Sequence, residues 1–392
     1  MQAFAERTGL LGPANPRRYL WTDAFAVCNY LELDRRIREA GSPGRHLDLA
    51  LALVDQVHEV LGSYADDDPR EGWLGGVDES SHRRHPTAHG LRIGKAGLER
   101  PPGEPPHPRE EWERDGQYFH YLTRWMQALL RVAEATGEAR YHRWAVELSE
   151  AASRAFVVTD PATGRHRMVW KTSVDLDRAQ VASMGHHDPL DGWVTSLCLR
   201  ASAHCDASVA RALDRQAGLY ADMCRGRDWT TADTLGIGGL LLDAWRLFRI
   251  RQLTEDVDTP DIEALLSAAA SGLAHVLSAG ELQRPAHSRL AFRELGLALG
   301  LSAARATAAR AGDRLLRRGP LSALTENAEV GERLCAFWRE PESRHTEAWR
   351  EHADINDSML VAALLPGGVL GEPVRPDAVK PDDEPSPTGR NR

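Results

Sequence analysis

His186, His187, Asp188 and Asp191 put two imidazoles and two carboxylates into one short stretch. Gly185 turns the chain just before them. The run from Trp193 through Val194, Leu197, Cys198 and Leu199 to Ala201 is apolar at helical spacing. Asp188 then reads as the N-cap, Pro189 as the first helical residue, and Asp191 lies one turn in. A helix start carries unpaired N–H groups and a partial positive charge, and acids and imidazoles gathered there have the types that general acid–base chemistry needs. Capping alone would also account for Asp188. His186, His187 and Asp191 taken together read as a site.

Similar starts recur before other apolar stretches. They are Trp21-Thr22-Asp23, then Asp115 with Gln117, Tyr118 and His120, then Thr231 with Asp233, then Arg289, Arg293 and Glu294, and last Asp354, Asn356 and Asp357. Each alone reads as a cap, since acids complement the helix dipole. As a set, mixed with aromatics and arginines, they read as the rim of a pocket. Paired carboxylates in a pocket suit a reaction in which one stays protonated and donates while the other activates water or attacks. Asp191 is the first candidate, with Asp23, Asp115, Glu294 or Asp357 as the second carboxylate. The faces of Trp21, Tyr118 and Trp170 suit stacking on sugar rings, with His186, His187, His120, Asp188 and Lys171 shaping a substrate. Arg92 and Lys95 suit an anionic group, or else anchor their own loop.

The elements that must hold these residues follow from the pattern of apolar positions. About six stretches that are apolar around most of their girth alternate with amphipathic ones, beginning near residues 21, 115, 188, 234, 289 and 354. Such alternation predicts an all-α fold with an inner and an outer layer of helices, an (α/α)6 toroid whose inner helices start at one mouth. Two parts break the pattern. Residues 63–115, with Asp66-Asp67-Asp68-Pro69, Gly75-Gly76 and the proline-rich run 101–108, predict a long insertion near that mouth with an exposed tip. Residues 164–177 have β-hairpin character. The expected layout is a single domain over 1–366 and a disordered tail over 367–392.

Composition narrows the partners. A net charge of −9 argues against nucleic acid or an anionic membrane. Five scattered cysteines without a C-x-x-C read as reduced thiols. The first residues lack the apolar core of a secretion signal, so a cytoplasmic protein is expected. There is no HExxH, P-loop or G-x-S-x-G motif. Adjacent histidines rarely both reach one ion, so no metal is expected. Gly236-Ile237-Gly238-Gly239 lacks a preceding strand and predicts close helix packing rather than dinucleotide binding.

With its alternating hairpins and its aromatic and acidic helix starts over 19–366, the chain resembles the six-hairpin glycosidase superfamily, which includes N-acylglucosamine 2-epimerase-like sugar isomerases. It is also similar to a bacterial group that shares Trp21-Thr22-Asp23-Ala24-Phe25, His85-Pro86-Thr87-Ala88 and Met184-Gly185-His186-His187-Asp188-Pro189, a similarity that carries no activity with it. The superfamily resemblance implies a small-molecule or oligosaccharide substrate and no cofactor. The expected function is a glycoside hydrolase using paired carboxylates in a central pocket. Two other readings stay open: a sugar epimerase or isomerase using a histidine pair such as His187 with His120 or His287, and a non-catalytic helical scaffold. A homo-oligomer is compatible with all three.

Overall fold

The computed structural model describes residues 1–13, 15–254, 258–311 and 319–371. The fold is mostly helical, with a few short strands. Twelve helices carry the architecture: α1 (Leu20–Glu39), α2 (His46–Leu61), α3 (Phe119–Thr136), α4 (Ala139–Phe156), α5 (Asp188–Arg200), α6 (Ala207–Cys224), α7 (Thr234–Leu253), α8 (Ile262–Ser278), α9 (Ala291–Arg310), α10 (Pro320–Glu326), α11 (Glu329–Arg339) and α12 (Ala353–Leu364).

Two kinds of helix appear, as the apolar pattern requires. Helices α1, α5, α7, α9 and α12 are apolar on most sides and bury residues all round, whereas α2, α4, α6, α8 and α11 bury one stripe. Helix α3 combines a buried stripe with a cluster of aromatic residues at its start. Neighbours in space follow the chain. Helix α1 packs on α3, α3 on α5, α5 on α7, α7 on α9, α9 on α12, and α12 on α1. The partners α2, α4, α6 and α8 each lie against the helix that precedes them, and α10 and α11 both lie against α9. The amphipathic partner of α9 is thus two helices, broken at Asn327-Ala328.

The β part is larger than one hairpin. Strand β1 (Gln117–Tyr118) pairs antiparallel with β4 (Lys171–Thr172), which pairs antiparallel with β5 (Ala179–Val181). A separate hairpin joins β2 (Val157–Thr159) to β3 (His166–Met168). The small sheet ties the start of α3 to the chain ahead of α5.

The insertion 63–115 is pinned rather than loose. It includes short helices at Glu79–Arg84 and Pro108–Glu113. Arg70 bonds Asp68, Glu99 and Asp175, while Arg100 and Lys171 both hold Glu111. Pro101, Pro102 and Gly103 form the exposed tip.

The expected tail needs one correction. Gly367–Leu370 is a helical turn packed on α1, and Leu370 is buried. Gly368 permits this, because a Cβ there would collide with the Cys28 carbonyl, and the Leu370 carbonyl accepts a bond from Trp245 Nε1 at 2.9 Å. The rest of the expected tail, 372–392, lies outside the described residues. All five cysteines are unpaired. Among the described residues, no helix is long and apolar enough to cross a membrane.

Candidate functional site

A cavity of about 860 Å³ opens among the N-terminal ends of the six mutually packed helices, and each contributes to its wall. Trp21 and Phe25 come from α1, His120, Tyr121 and Arg124 from α3, Asp188 and Asp191 from α5, and Asp243 from α7. Helix α9 adds Phe292 and Arg293, and α12 adds Ile355 and Met359. The insertion brings Lys95 and Trp112 to the mouth, and the sheet region brings Tyr118 and Trp170.

Asp188 is not the cap of α5. His187 holds the N-cap position, Asp188 is inside the first turn, and no side chain caps this helix. Its Oδ2 is buried without a hydrogen-bond partner, while its Oδ1 lies 3.8 Å from His120 Nδ1. Burial, reinforced by the Asp191 charge, pushes the Asp188 carboxyl up to about 8. Gly185 makes room for it, since a Cβ there would overlap the carboxylate. Asp191, one turn along the same face, is ion-paired to Arg124 at 2.8 Å.

A third carboxylate, Asp243, lies about two and a half turns into α7. It is ion-paired to Arg246 at 2.8 Å, and burial together with the Asp191 charge raises its pKa. Burial also lowers two of the histidines at the site, His187 and His120, the latter to about 4. The His187 Nε2 donates to the Trp229 carbonyl at 3.1 Å, so its Nδ1 is left as the acceptor. Near the mouth, Tyr118 and Trp170 rings stand 5.0 Å apart, Trp112 meets Trp170 edge-on at 5.1 Å, and the Tyr19 and Tyr121 hydroxyls share a 2.6 Å hydrogen bond. Lys95 Nζ lies 5.4 Å from both the Trp112 and Tyr118 ring centres, and burial lowers it to about 8.

The cavity gathers Asp191, His187, His186, Asp188, His120, Trp21, Tyr118, Trp170 and Lys95 from the residues singled out in the sequence, together with Thr231, Asp233 and Arg293 of the recurring helix starts. Six other candidates, Asp23, Asp115, Arg92, Glu294, Asp357 and Lys171, lie outside its lining, each with another engagement. Asp23 accepts the Tyr19 N–H at 2.9 Å beside Arg18, steadying the start of α1. Asp115 is clamped by Arg92 at 2.5 Å and by the Gly94 and Gly116 N–H groups, so Arg92 is an internal strut. Glu294 takes Arg289 on both oxygens and the Trp338 indole N–H. Asp357 bridges Arg7 and Arg344. Lys171, fully buried, bonds the Glu111 and Arg114 carbonyls.

Sequence reasoning passed over Arg124, Asp243 and Trp112. Arg124 had a signal, as the one Asp, Glu, Lys or Arg in the apolar run 119–130, where a charge needs a partner; Asp243, three residues before Arg246, reads in the sequence as half of an ordinary i,i+3 pair. Trp112 had no signal beyond its place in the insertion.

Two carboxyls raised by burial, a third carboxylate paired with Arg124, imidazoles and aromatic faces can together move protons on a bound polyhydroxylated ring. Among the described residues, no group of three His, Cys, Asp or Glu side chains is placed to hold a metal ion. No protein-family model, no curated protein and no solved structure matches this chain.

Proposed function

We propose that this chain is an (α/α)6 toroid whose central cavity hydrolyses a glycosidic bond, with Asp188 as the proton donor and Asp191 as the carboxylate that works with it. The cyclic order of neighbours, from α1 through α3, α5, α7, α9 and α12 back to α1, supports an inner ring. The observation that carries the chemistry is the Asp188 Oδ2, buried in the wall of the cavity with no partner, beside an Asp191 held by Arg124. An acid that keeps its proton near neutrality next to a paired carboxylate is the division of labour that glycoside hydrolysis requires. Trp21, Tyr118 and Trp170 would stack on the sugar. A second reading, sugar isomerisation, is favoured by the His187 Nδ1, which is left as an acceptor at the cavity wall.

The test is thermal unfolding against a panel of mono-, di- and anionic sugars, followed by turnover of any sugar or glycoside that binds. A ligand at 100 times its Kd adds about 2.7 kcal/mol of stability, a readable shift. Asp188→Asn and Asp191→Asn are expected to keep the fold and to lose more than about 10²-fold in turnover. Near-normal turnover in Asp188→Asn would sink its assignment as the acid. Interconversion of free sugars without release of new reducing ends would turn the reading to the isomerase. No shift with any sugar would leave a helical scaffold.

A further inference from the structure

A second cavity of about 470 Å³ backs onto the central one, and Trp112, Tyr118 and Trp170 line both. We propose that this chamber binds an aromatic or alkyl group carrying a single hydrogen-bond donor, the non-sugar part of a glycoside whose ring occupies the central cavity. Its place in a glycoside rests on the sugar reading above. Its occupation by such a group does not.

The lining sets the chemistry. Beside the three shared aromatic residues it has Pro106, Ala179, Val181 and Ala182. The charged residues there are already committed. Arg100 donates to Glu111, to the Glu104 carbonyl and to the Gln180 carbonyl, and Glu111 also receives Lys171. Gln180 is different. It is 3% exposed, and its Nε2 donates to Glu99 Oε2 and to the Arg100 carbonyl, both at 3.2 Å. Both partners can only accept, so the amide nitrogen belongs there and the oxygen faces the other way. That oxygen, Oε1, is buried with no partner.

A buried acceptor without a donor is a cost that a ligand hydroxyl or N–H removes. A lining that is apolar or aromatic except for committed charges and Gln180, with its one unpartnered acceptor, does not suit a second sugar ring, whose several hydroxyls would each be stripped of water without replacement. It does suit a flat or alkyl group with one donor. Trp112, on the short helix Pro108–Glu113, is 53% exposed, so the partition between the two cavities ends at solvent and a ligand can pass over its edge.

The experiment titrates the full chain with 4-methylumbelliferone, an aromatic group with one phenolic hydroxyl, and reads its fluorescence anisotropy. Saturable binding is expected. Ala179→Trp, at an exposed lining position, is expected to weaken it at least tenfold by filling the chamber. Gln180→Leu is expected to weaken it about fivefold, the worth of one hydrogen bond, with unfolding curves run beside both variants. Gly239→Leu, which fills the central cavity alone, is expected to leave it unchanged. Absence of saturable binding, binding indifferent to Ala179→Trp, or binding lost in Gly239→Leu would each overturn the proposal. Binding that behaves as expected while no sugar binds and no glycoside is cleaved would uphold the chamber and overturn the hydrolase reading.

Discussion

Asp188 keeps its proton where an exposed aspartate has lost it, because burial and the Asp191 charge both oppose a second negative charge at that helix start. The sign of the consequence follows from comparing the two states. Its folded pKa of about 8 lies above the unfolded value of about 3.9, so the native state binds the extra proton in between. The stability this group contributes is complete below about pH 4 and drains away as pH rises through about 8. Asp188→Asn removes the titration. Denaturant unfolding of wild type and Asp188→Asn at pH 5, 7 and 9 should therefore show the variant gaining on wild type as pH rises, and parallel profiles would contradict the assignment. The residue types at this site were readable in the sequence, but the role of Asp188 was not. Its place one residue inside the helix, with no amide to cap, is a matter of a single backbone position. The same limit hid the other engagements: a carboxylate at a helix start looks alike whether it faces a cavity, as Asp191 does, or an arginine behind it, as Glu294 does.

Glycines decide how helices α7 and α9 meet. A Cβ on Gly238 would collide with the Gly296 carbonyl, and one on Gly300 would strike the Gly238 backbone, so the two helices touch main chain to main chain. Gly239, the next residue, would place its Cβ in open space, and it lines the central cavity. Neighbouring substitutions should therefore have opposite effects. Gly238→Ala is expected to cost about 1–3 kcal/mol of overpacking, read by denaturant unfolding. Gly239→Leu is expected to hold or raise the melting temperature, since leucine favours a helix over glycine by several tenths of a kcal/mol, while abolishing sugar binding in the central cavity. Equal destabilisation by both would contradict this picture of the interface. The close packing was legible in Gly236-Ile237-Gly238-Gly239, because glycines inside an apolar helix need a reason. The existence and order of the helices were legible for a similar cause: a helix buried on most sides shows no polar face. Asp243 was hidden by that very feature, a single acid in a stretch whose helical character left its depth unmarked.

Three buried charges join the insertion to the small sheet. Lys171 on β4 and Arg100 in the insertion share Glu111, and all three are nearly or fully buried. Lys171→Met leaves a buried acid short of one partner and two carbonyls without a donor, which is expected to cost about 3–5 kcal/mol. It should also expose the segment around 97–114 to limited proteolysis well before the helices are cut; simultaneous cleavage of both would show that the charges do not act as a local clasp. Little of this was readable, since a proline-rich stretch with scattered charges gives no sign of which charges will be buried together. The packing of α12 on α1 has a different kind of consequence. Of the twelve helices, α1 is made first and α12 last, so the chain on the ribosome carries five sixths of a cavity wall with one side bare. That side stays open until His352, Ile355 and Met359 arrive. The contact that closes the cavity joins the helices farthest apart in the chain, the kind that is slow to form, so the enclosed cavity cannot exist before the last of the twelve helices does.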